Sequence, residues 1–144
     1  MPDETGTEGV IGGRAPREEH RTWYDIEDIL DAMGVRQGSV CADLGCGTGA
    51  FTLPLARRVG KDGRVYAVDA SVAALDMLKV KKPGVNITTL RAELTGTRLP
   101  AASCDLVLLA FALSCAGNPG GVLSEAARLL KEGGHLAVVE WRPV

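Results

Sequence analysis

The chain has 144 residues, of which 46% are hydrophobic and 24% are charged, a composition typical of one globular domain with a core of its own. The formal net charge of −2 gives no bulk attraction to nucleic acid, and no apolar run is long enough to cross a bilayer. Because the N-terminus has no apolar signal-peptide core, we expect a cytoplasmic protein, and its four scattered cysteines are ordinary for that compartment.

The beginning of the chain is polar and rich in glycine. This composition predicts a flexible N-terminal arm over residues 1–20, followed by one domain over residues 21–144. Apolar residues then recur at helical spacing, which predicts a first helix over residues 22–33 that ends at Gly34.

Beyond that helix, apolar runs alternate with amphipathic segments. The apolar runs predict strands at residues 40–44, 64–68, 86–90, 105–110 and 136–141. The amphipathic segments predict helices at residues 51–59, at 72 to about 82 with Ser71 as its N-cap, and at 119–131. Such alternation is typical of a doubly wound, mainly parallel α/β sheet of Rossmann-like type, with helices on both faces.

The first predicted strand leads directly into a segment with three alternating glycines, Asp43-Leu-Gly-Cys-Gly-Thr-Gly49. Glycine lets the backbone turn sharply and leaves no Cβ to obstruct a ligand. The helix that follows would direct its free N–H groups and the positive end of its dipole toward that ligand. Strand, glycine turn and helix together predict the opening of a nucleotide-binding βαβ unit.

Acidic residues mark the carboxyl ends of the next two predicted strands. Asp69 ends the second strand about twenty residues after the glycine turn, and Glu93 follows the third strand. Parallel sheets bind ligands at this edge, where an acid can accept hydrogen bonds from the hydroxyls of a ribose. The simpler alternative is that Asp69 only caps the next helix or turn.

The glycines alone do not identify the ligand. Gly45 and Gly47 with Ala50 also fit the dinucleotide pattern G-x-G-x-x-A, so an NAD-dependent oxidoreductase is an alternative. However, Asp43 lies two residues before the first glycine, and a carboxylate there would repel a pyrophosphate and attract a cation. With Glu93, the acidic residues favour a ligand that carries an amino group and a sulfonium.

Several segments carry a resemblance to one family. The segment from Asp43 to Gly49 resembles the first motif of class I S-adenosylmethionine-dependent methyltransferases. Residues 65–71, 92–107 and 125–134 are similar, in the same order, to the later motifs of that family. The resemblance extends over about residues 23–141 and is greatest to small-molecule methylases related to quinone C-methyltransferases.

The resemblance implies S-adenosyl-L-methionine as the cofactor and a small molecule as the methyl acceptor. Because Cys41 and Cys46 are not at zinc-finger spacing and no second pair completes a site, we expect no metal. It assigns the methionine end of the cofactor to Asp43, to the glycine turn and to the end of the fourth strand, and it assigns the ribose and adenine to Asp69 and its neighbours. The implied cofactor-binding residues are Asp43, Gly45, Cys46, Gly47, Thr48, Gly49, Asp69, Ala70, Glu93, Leu94, Ala110 and Phe111.

The sequence also departs from the family pattern. The family more often has Asp at the position of Glu93. The chain ends at Val144, before the antiparallel hairpin that usually follows the fifth strand. An apolar edge strand would then need a cover, and we expect a second copy in a homodimer, another partner, or the N-terminal arm. A non-catalytic cofactor-binding subunit that acts through a partner is therefore a second hypothesis.

The sequence identifies neither the acceptor nor a general base. A base is needed only if the acceptor must lose a proton. Residues that could face an acceptor are His20, Tyr24, Ser114 and Cys115. Each also has a plainer interpretation as a solvated, helix-edge, loop or packing residue.

Overall fold

The computed structural model describes residues 25–81 and 83–140. The N-terminal arm, His20 and Tyr24 lie outside the described residues, as does Trp141. The predicted start of the first helix at residue 22 is wrong, because Asp25 is extended and caps a helix that begins at Ile26 by accepting the N–H of Glu27. The elements in chain order are α1 (Ile26–Met33), β1 (Val40–Leu44), α2 (Thr52–Val59), β2 (Arg64–Asp69), α3 (Val72–Val80), β3 (Ile87–Arg91), β4 (Cys104–Ala110), a 3₁₀ turn (Leu113–Cys115), α4 (Pro119–Leu129) and β5 (Leu130–Val139).

The strands form one five-stranded sheet in the order β3-β2-β1-β4-β5, and every pair is parallel. From β1 the chain adds β2 and β3 on one side, then returns to place β4 against the other side of β1. Ligand sites in open α/β sheets lie at such a reversal, outside the carboxyl ends of the strands. The predicted doubly wound parallel α/β fold is confirmed.

Different helices cover the two faces of the sheet. Successive residues of a strand point to opposite faces, so Cys41 packs with α1 and α2, whereas Leu44 packs with α4. α3 adds a further cluster, in which Leu75 and Leu78 pack with Ala67 of β2. Both faces are buried at the centre of the sheet, so β1 and β4 are mostly apolar on both sides, as expected for a parallel sheet.

Two predicted helix ends are confirmed. Gly34 ends α1 in the left-handed conformation, with φ of 70°, and its N–H donates to the carbonyls of Asp31 and Leu30. Ser71 caps α3, where its Oγ accepts the N–H of Ala74 at 3.1 Å. None of the helices in the described part of the chain has the length and apolarity that crossing a membrane requires.

The predicted boundary between α4 and β5 is wrong. α4 ends at Leu129 rather than at residue 131, and β5 begins at Leu130 rather than at residue 136. Leu130 already pairs with Cys104, and after a register shift His135 pairs with Leu106. The polar residues between them form an irregular segment in the strand, so hydropathy alone placed the strand too late. Within residues 25–81 and 83–140, no strand pairs with the outer edge of β5.

Candidate functional site

The glycine turn follows β1 directly. Gly45, Gly47 and Gly49 all have positive φ, at 81°, 56° and 99°, a region that residues with a Cβ rarely adopt. A Cβ at Gly49 would also overlap the side chain of Leu78 from α3. Glycine therefore adopts this turn with the least strain, and Gly49 also lets α3 pack closely.

Gly49→Ala should lower the free energy of unfolding by about 2–4 kcal/mol, because it combines a strained φ with overlap against Leu78. Gly96→Ala is the matched control, since a Cβ there meets nothing within 4 Å. Denaturant unfolding measures both. Equal, small changes in the two variants would contradict the packing described here.

Asp69 ties the glycine turn to the start of α3. Its Oδ2 accepts the N–H of Gly47 at 2.9 Å, and its Oδ1 accepts the N–H of Ser71 at 2.8 Å. The N-cap of α3 is the Ser71 side chain, so Asp69 is not the cap of that helix. Each carboxylate oxygen has a second lone pair and can accept a further hydrogen bond from a ligand.

Asp43 lies beneath the same turn and is only 1% exposed. Its Oδ2 accepts the hydroxyl of Thr52 at 2.8 Å. Burial, with a smaller contribution from the charge of Asp69, raises the pKa of Asp43 to about 7, although the Thr52 hydrogen bond opposes the rise. None of the lysines and arginines in the described ranges forms an ion pair with Asp43. A cation near this position would relieve the burial of its charge.

A cleft of about 560 Å³ opens at the carboxyl ends of the strands. Several residues predicted from the sequence line it, and they come from separate parts of the chain. They are Gly45, Ala70, Glu93, Leu94 and Phe111. The strand ends thus converge on one cavity, large enough for a nucleoside-sized ligand.

The other predicted residues are not part of the cleft lining. They stand in or under the glycine turn, at the end of β2 or at the end of β4. They are Asp43, Cys46, Gly47, Thr48, Gly49, Asp69 and Ala110. Cys46 is buried against Leu75 and Leu78, and burial raises the pKa of its thiol well above the ordinary value. Filling the turn explains the position of Cys46.

One wall of the cleft was not identified from the sequence as cofactor-binding. It is built by the loop after β3, the turn after β4 and the start of α4. These residues are Thr95, Ala112, Cys115, Ala116, Gly117, Asn118 and Val122. The sequence signal that could have indicated this wall is the Asn118-Pro119 pair, which marks the start of a helix. Asn118 caps that helix by accepting the N–H of Gly121 at 3.0 Å.

The candidates for contact with an acceptor separate in the structure. Cys115 is exposed and lines the cleft, whereas Ser114 lies in the same 3₁₀ turn but outside the lining. His20 and Tyr24 fall in the part of the chain that is not described.

The cleft loop over residues 92–103 is anchored to α4 by a buried carboxylate. Glu125 Oε2 accepts both the N–H and the hydroxyl of Thr97, at 2.9 and 2.6 Å, and pairs with Arg128 at 2.7 Å. Arg128 also donates to the carbonyl of Leu99 at 2.7 Å. The hydrogen bonds from Arg128 and Thr97 lower the pKa of Glu125 to about 2. The loop that carries Glu93 is thereby held in place.

Glu125→Gln should lower the free energy of unfolding at neutral pH by about 1–3 kcal/mol, because charge-assisted hydrogen bonds become weaker ones. The folded-state pKa is depressed, so this stabilisation is complete above the ordinary pKa of 4.5 and is lost as the pH falls toward about 2. Denaturant unfolding across that range, with exposed Glu132→Gln as control, measures it. A difference from the wild type that does not depend on pH would contradict the assignment.

Comparison with known sequences identifies the family. Residues 42–138 match the family described as "Methyltransferase domain". A ubiquinone/menaquinone biosynthesis C-methyltransferase of Hydrogenovibrio crunogenus is 33% identical over 129 residues, which are 87% of this chain and 50% of that protein. A demethylmenaquinone methyltransferase of Staphylococcus aureus is 31% identical over 124 residues, 85% of this chain and 51% of that protein. The chain spans about half the length of these curated relatives.

Solved structures agree with the sequence comparison. A SAM-dependent methyltransferase from Aquifex aeolicus superposes with a TM-score of 0.77 and 30% identity, over 82% of this chain and 64% of that one. An arsenic(III) S-adenosylmethionine methyltransferase from Chlamydomonas reinhardtii gives a TM-score of 0.66 and 30% identity, over 71% of this chain and 38% of that one. The chain belongs to the family of class I methyltransferase domains.

Proposed function

We propose that the chain binds S-adenosyl-L-methionine at the carboxyl edge of its sheet and transfers the methyl group to a small-molecule acceptor. The observation that carries the proposal is the hydrogen bonding and charge at the glycine turn. The Gly47 N–H, which a phosphate would need, already donates to Asp69. The buried carboxyl of Asp43 belongs to the end of β1, which leads into this turn. Both features favour a cationic ligand over a diphosphate.

The proposed contacts divide the cofactor into two ends. Asp69 would accept the ribose hydroxyls, with Ala70, Glu93 and Leu94 around the adenine. That assignment is supported by the position of the last three residues in the cleft lining. Glu93 takes the place of the Asp more usual in the family, and a longer carboxylate can still accept from an amino group.

The methionine end is proposed to lie over the glycine turn. Its ammonium and sulfonium would sit above Asp43 and the backbone of Gly45, Cys46, Gly47, Thr48 and Gly49, near Ala110 and Phe111. Asp43 is buried, so it would act through its negative potential rather than by lining the cavity. The low dielectric around a buried charge strengthens such an interaction.

Methyl transfer from a sulfonium requires little of the protein beyond orienting the reactants. When bound, S-adenosylmethionine supplies a methyl group on a sulfonium, and its sulfur keeps the bonding electron pair as the methyl group passes to the acceptor. The chain's own residues hold the reactants in line and exclude water. An acceptor that must lose its proton also needs a base, and Cys115 is the candidate that lines the cleft.

The names of the relatives suggest the acceptor to test. Purified chain incubated with methyl-labelled S-adenosylmethionine and a short-chain quinol that lacks a ring methyl should transfer label to the ring.

The NAD-dependent alternative loses support because the family found is a methyltransferase family. The other alternative is a cofactor-binding subunit that acts through a partner. Turnover by the chain alone would exclude it, whereas cofactor binding without turnover of any quinol would favour it.

We further propose that a second copy covers the outer edge of β5, in a homodimer in the cytoplasm. Leu136 on this strand is 40% exposed, and unpaired apolar edge strands promote association. Sedimentation velocity at low concentration tests the dimer, and a monomer would contradict it. Cell fractionation tests the location.

A further inference from the structure

The turn after β4 is held in a strained conformation. Phe111 has a φ of 56°, which is unusual for a bulky residue and persists only where surrounding contacts fix the backbone. One such contact joins the turn to β5, because the N–H of Phe111 donates to the carbonyl of Val139 at 2.7 Å. The turn is therefore fastened to the neighbouring strand at its first residue.

A second contact that fixes the turn is a hydrogen bond to a carboxylate. Glu140 follows β5, and its Oε2 accepts the N–H of Ser114 at 3.1 Å. The hydroxyl of Ser114 also donates to the carbonyl of Phe111 at 3.5 Å, within the turn. Hydrogen bonds from a backbone N–H to a carboxylate are stronger than bonds between neutral groups. Val139 and Glu140 thus hold the turn at Phe111, where it begins, and at Ser114, within it.

The residues on either side of Ser114 form a wall of the cleft. Phe111 and Ala112 precede it, Cys115 and Ala116 follow it, and all four line the cavity, whereas Ser114 and Glu140 do not. Glu140 therefore lies behind the wall rather than in it. A shift of Ser114 would move wall residues on both sides of it.

We propose that Glu140 is a positioning residue, whose carboxylate fixes the turn at Leu113–Cys115 and so sets the shape of the cleft that receives the ligand. The identity of that ligand rests on the proposed function, but the position of the wall does not. The action is indirect, through the N–H of Ser114, and Glu140 is not among the residues that line the cavity.

The test uses the thiol in the wall as a reporter. Cys115 is exposed, whereas Cys41, Cys46 and Cys104 are buried, so alkylation by iodoacetamide in the folded protein reports on the turn. Glu140→Ala should speed alkylation of Cys115 by about fivefold and weaken binding of S-adenosylhomocysteine by a similar factor, because one charge-assisted hydrogen bond is lost.

The variants separate this hydrogen bond from charge and from overall stability. Glu140→Gln keeps an oxygen for the Ser114 N–H and should remain within about twofold of the wild type. Glu132→Ala, which removes an exposed glutamate elsewhere on β5, should match the wild type. Thermal melting confirms that each variant is folded.

Two results would overturn the proposal. One is a rate of Cys115 alkylation in folded Glu140→Ala that equals the wild-type rate. If Glu140→Ala does not fold, the same comparison is made with Glu140→Asp, whose shorter side chain also withdraws from Ser114. The other is a defect in Glu140→Gln as large as in Glu140→Ala. If the wild type itself fails to bind S-adenosylhomocysteine, the proposed function fails, while the alkylation rates still decide the role of Glu140.

Discussion

Replacing Asp69 with alanine is expected to weaken binding of S-adenosylhomocysteine about a hundredfold, because two charge-assisted hydrogen bonds to the ribose would be lost. The same substitution leaves the N–H groups of Gly47 and Ser71 without their present acceptor, so the glycine turn loosens as well. Both effects act in the same direction on affinity. Isothermal titration calorimetry measures the result.

The control for this experiment is Asp76→Ala, which removes an exposed aspartate of α3, the helix that begins at Val72. It should leave the affinity unchanged. Asp69→Asn keeps one acceptor oxygen and should give an intermediate loss. An affinity of Asp69→Ala within threefold of the wild type, in protein shown by melting to be folded, would exclude Asp69 from the site.

Asp43→Asn should stabilise the unliganded protein while impairing its binding of the cofactor. Burial raises the folded-state pKa of Asp43 from an ordinary 3.8 to about 7. As the pH rises between these values, the wild type therefore loses stability, because only its unfolded state has released the proton. Asn avoids the buried charge and can still accept from Thr52. Above about pH 7 the variant should be more stable by a few kcal/mol.

The same substitution should weaken S-adenosylhomocysteine binding about tenfold at pH 8, because the ligand's ammonium loses a nearby negative charge in a low-dielectric setting. In the wild type, affinity should fall as the pH drops below about 7, where Asp43 becomes protonated, and Asp43→Asn should lack this dependence. Denaturant unfolding between pH 4 and 8 tests the predicted stability, and calorimetry over the same range tests the predicted affinity. A variant that is less stable and binds normally would contradict this role.

The fold and the acidic strand ends could be predicted because their signals are local. Most strands contain a short apolar run, and Asp69 lies where one such run ends. The start of β5 could not be predicted, because the polar residues 131–134 interrupt the strand, although Leu130 before them still pairs with Cys104. Pairing with a neighbouring strand, rather than hydropathy, decides this boundary.

The missed parts of the site depend on contacts between distant segments. Asn118 and Val122 reach the cleft only because α4 packs back over the sheet. Glu140 was not predicted as a residue that shapes the site, because the predicted strand continued to residue 141 and so included it. The strand ends at Val139, so Glu140 is in fact another acid directly after a strand.

The central claim is that this cleft accepts an adenosyl ligand that carries an ammonium group, and not a diphosphate. Calorimetric titration of the purified chain with S-adenosylhomocysteine and, in parallel, with NADH tests it most directly. We expect saturable binding of S-adenosylhomocysteine and no detectable heat of binding from NADH. Saturable binding of NADH with none of S-adenosylhomocysteine would contradict it.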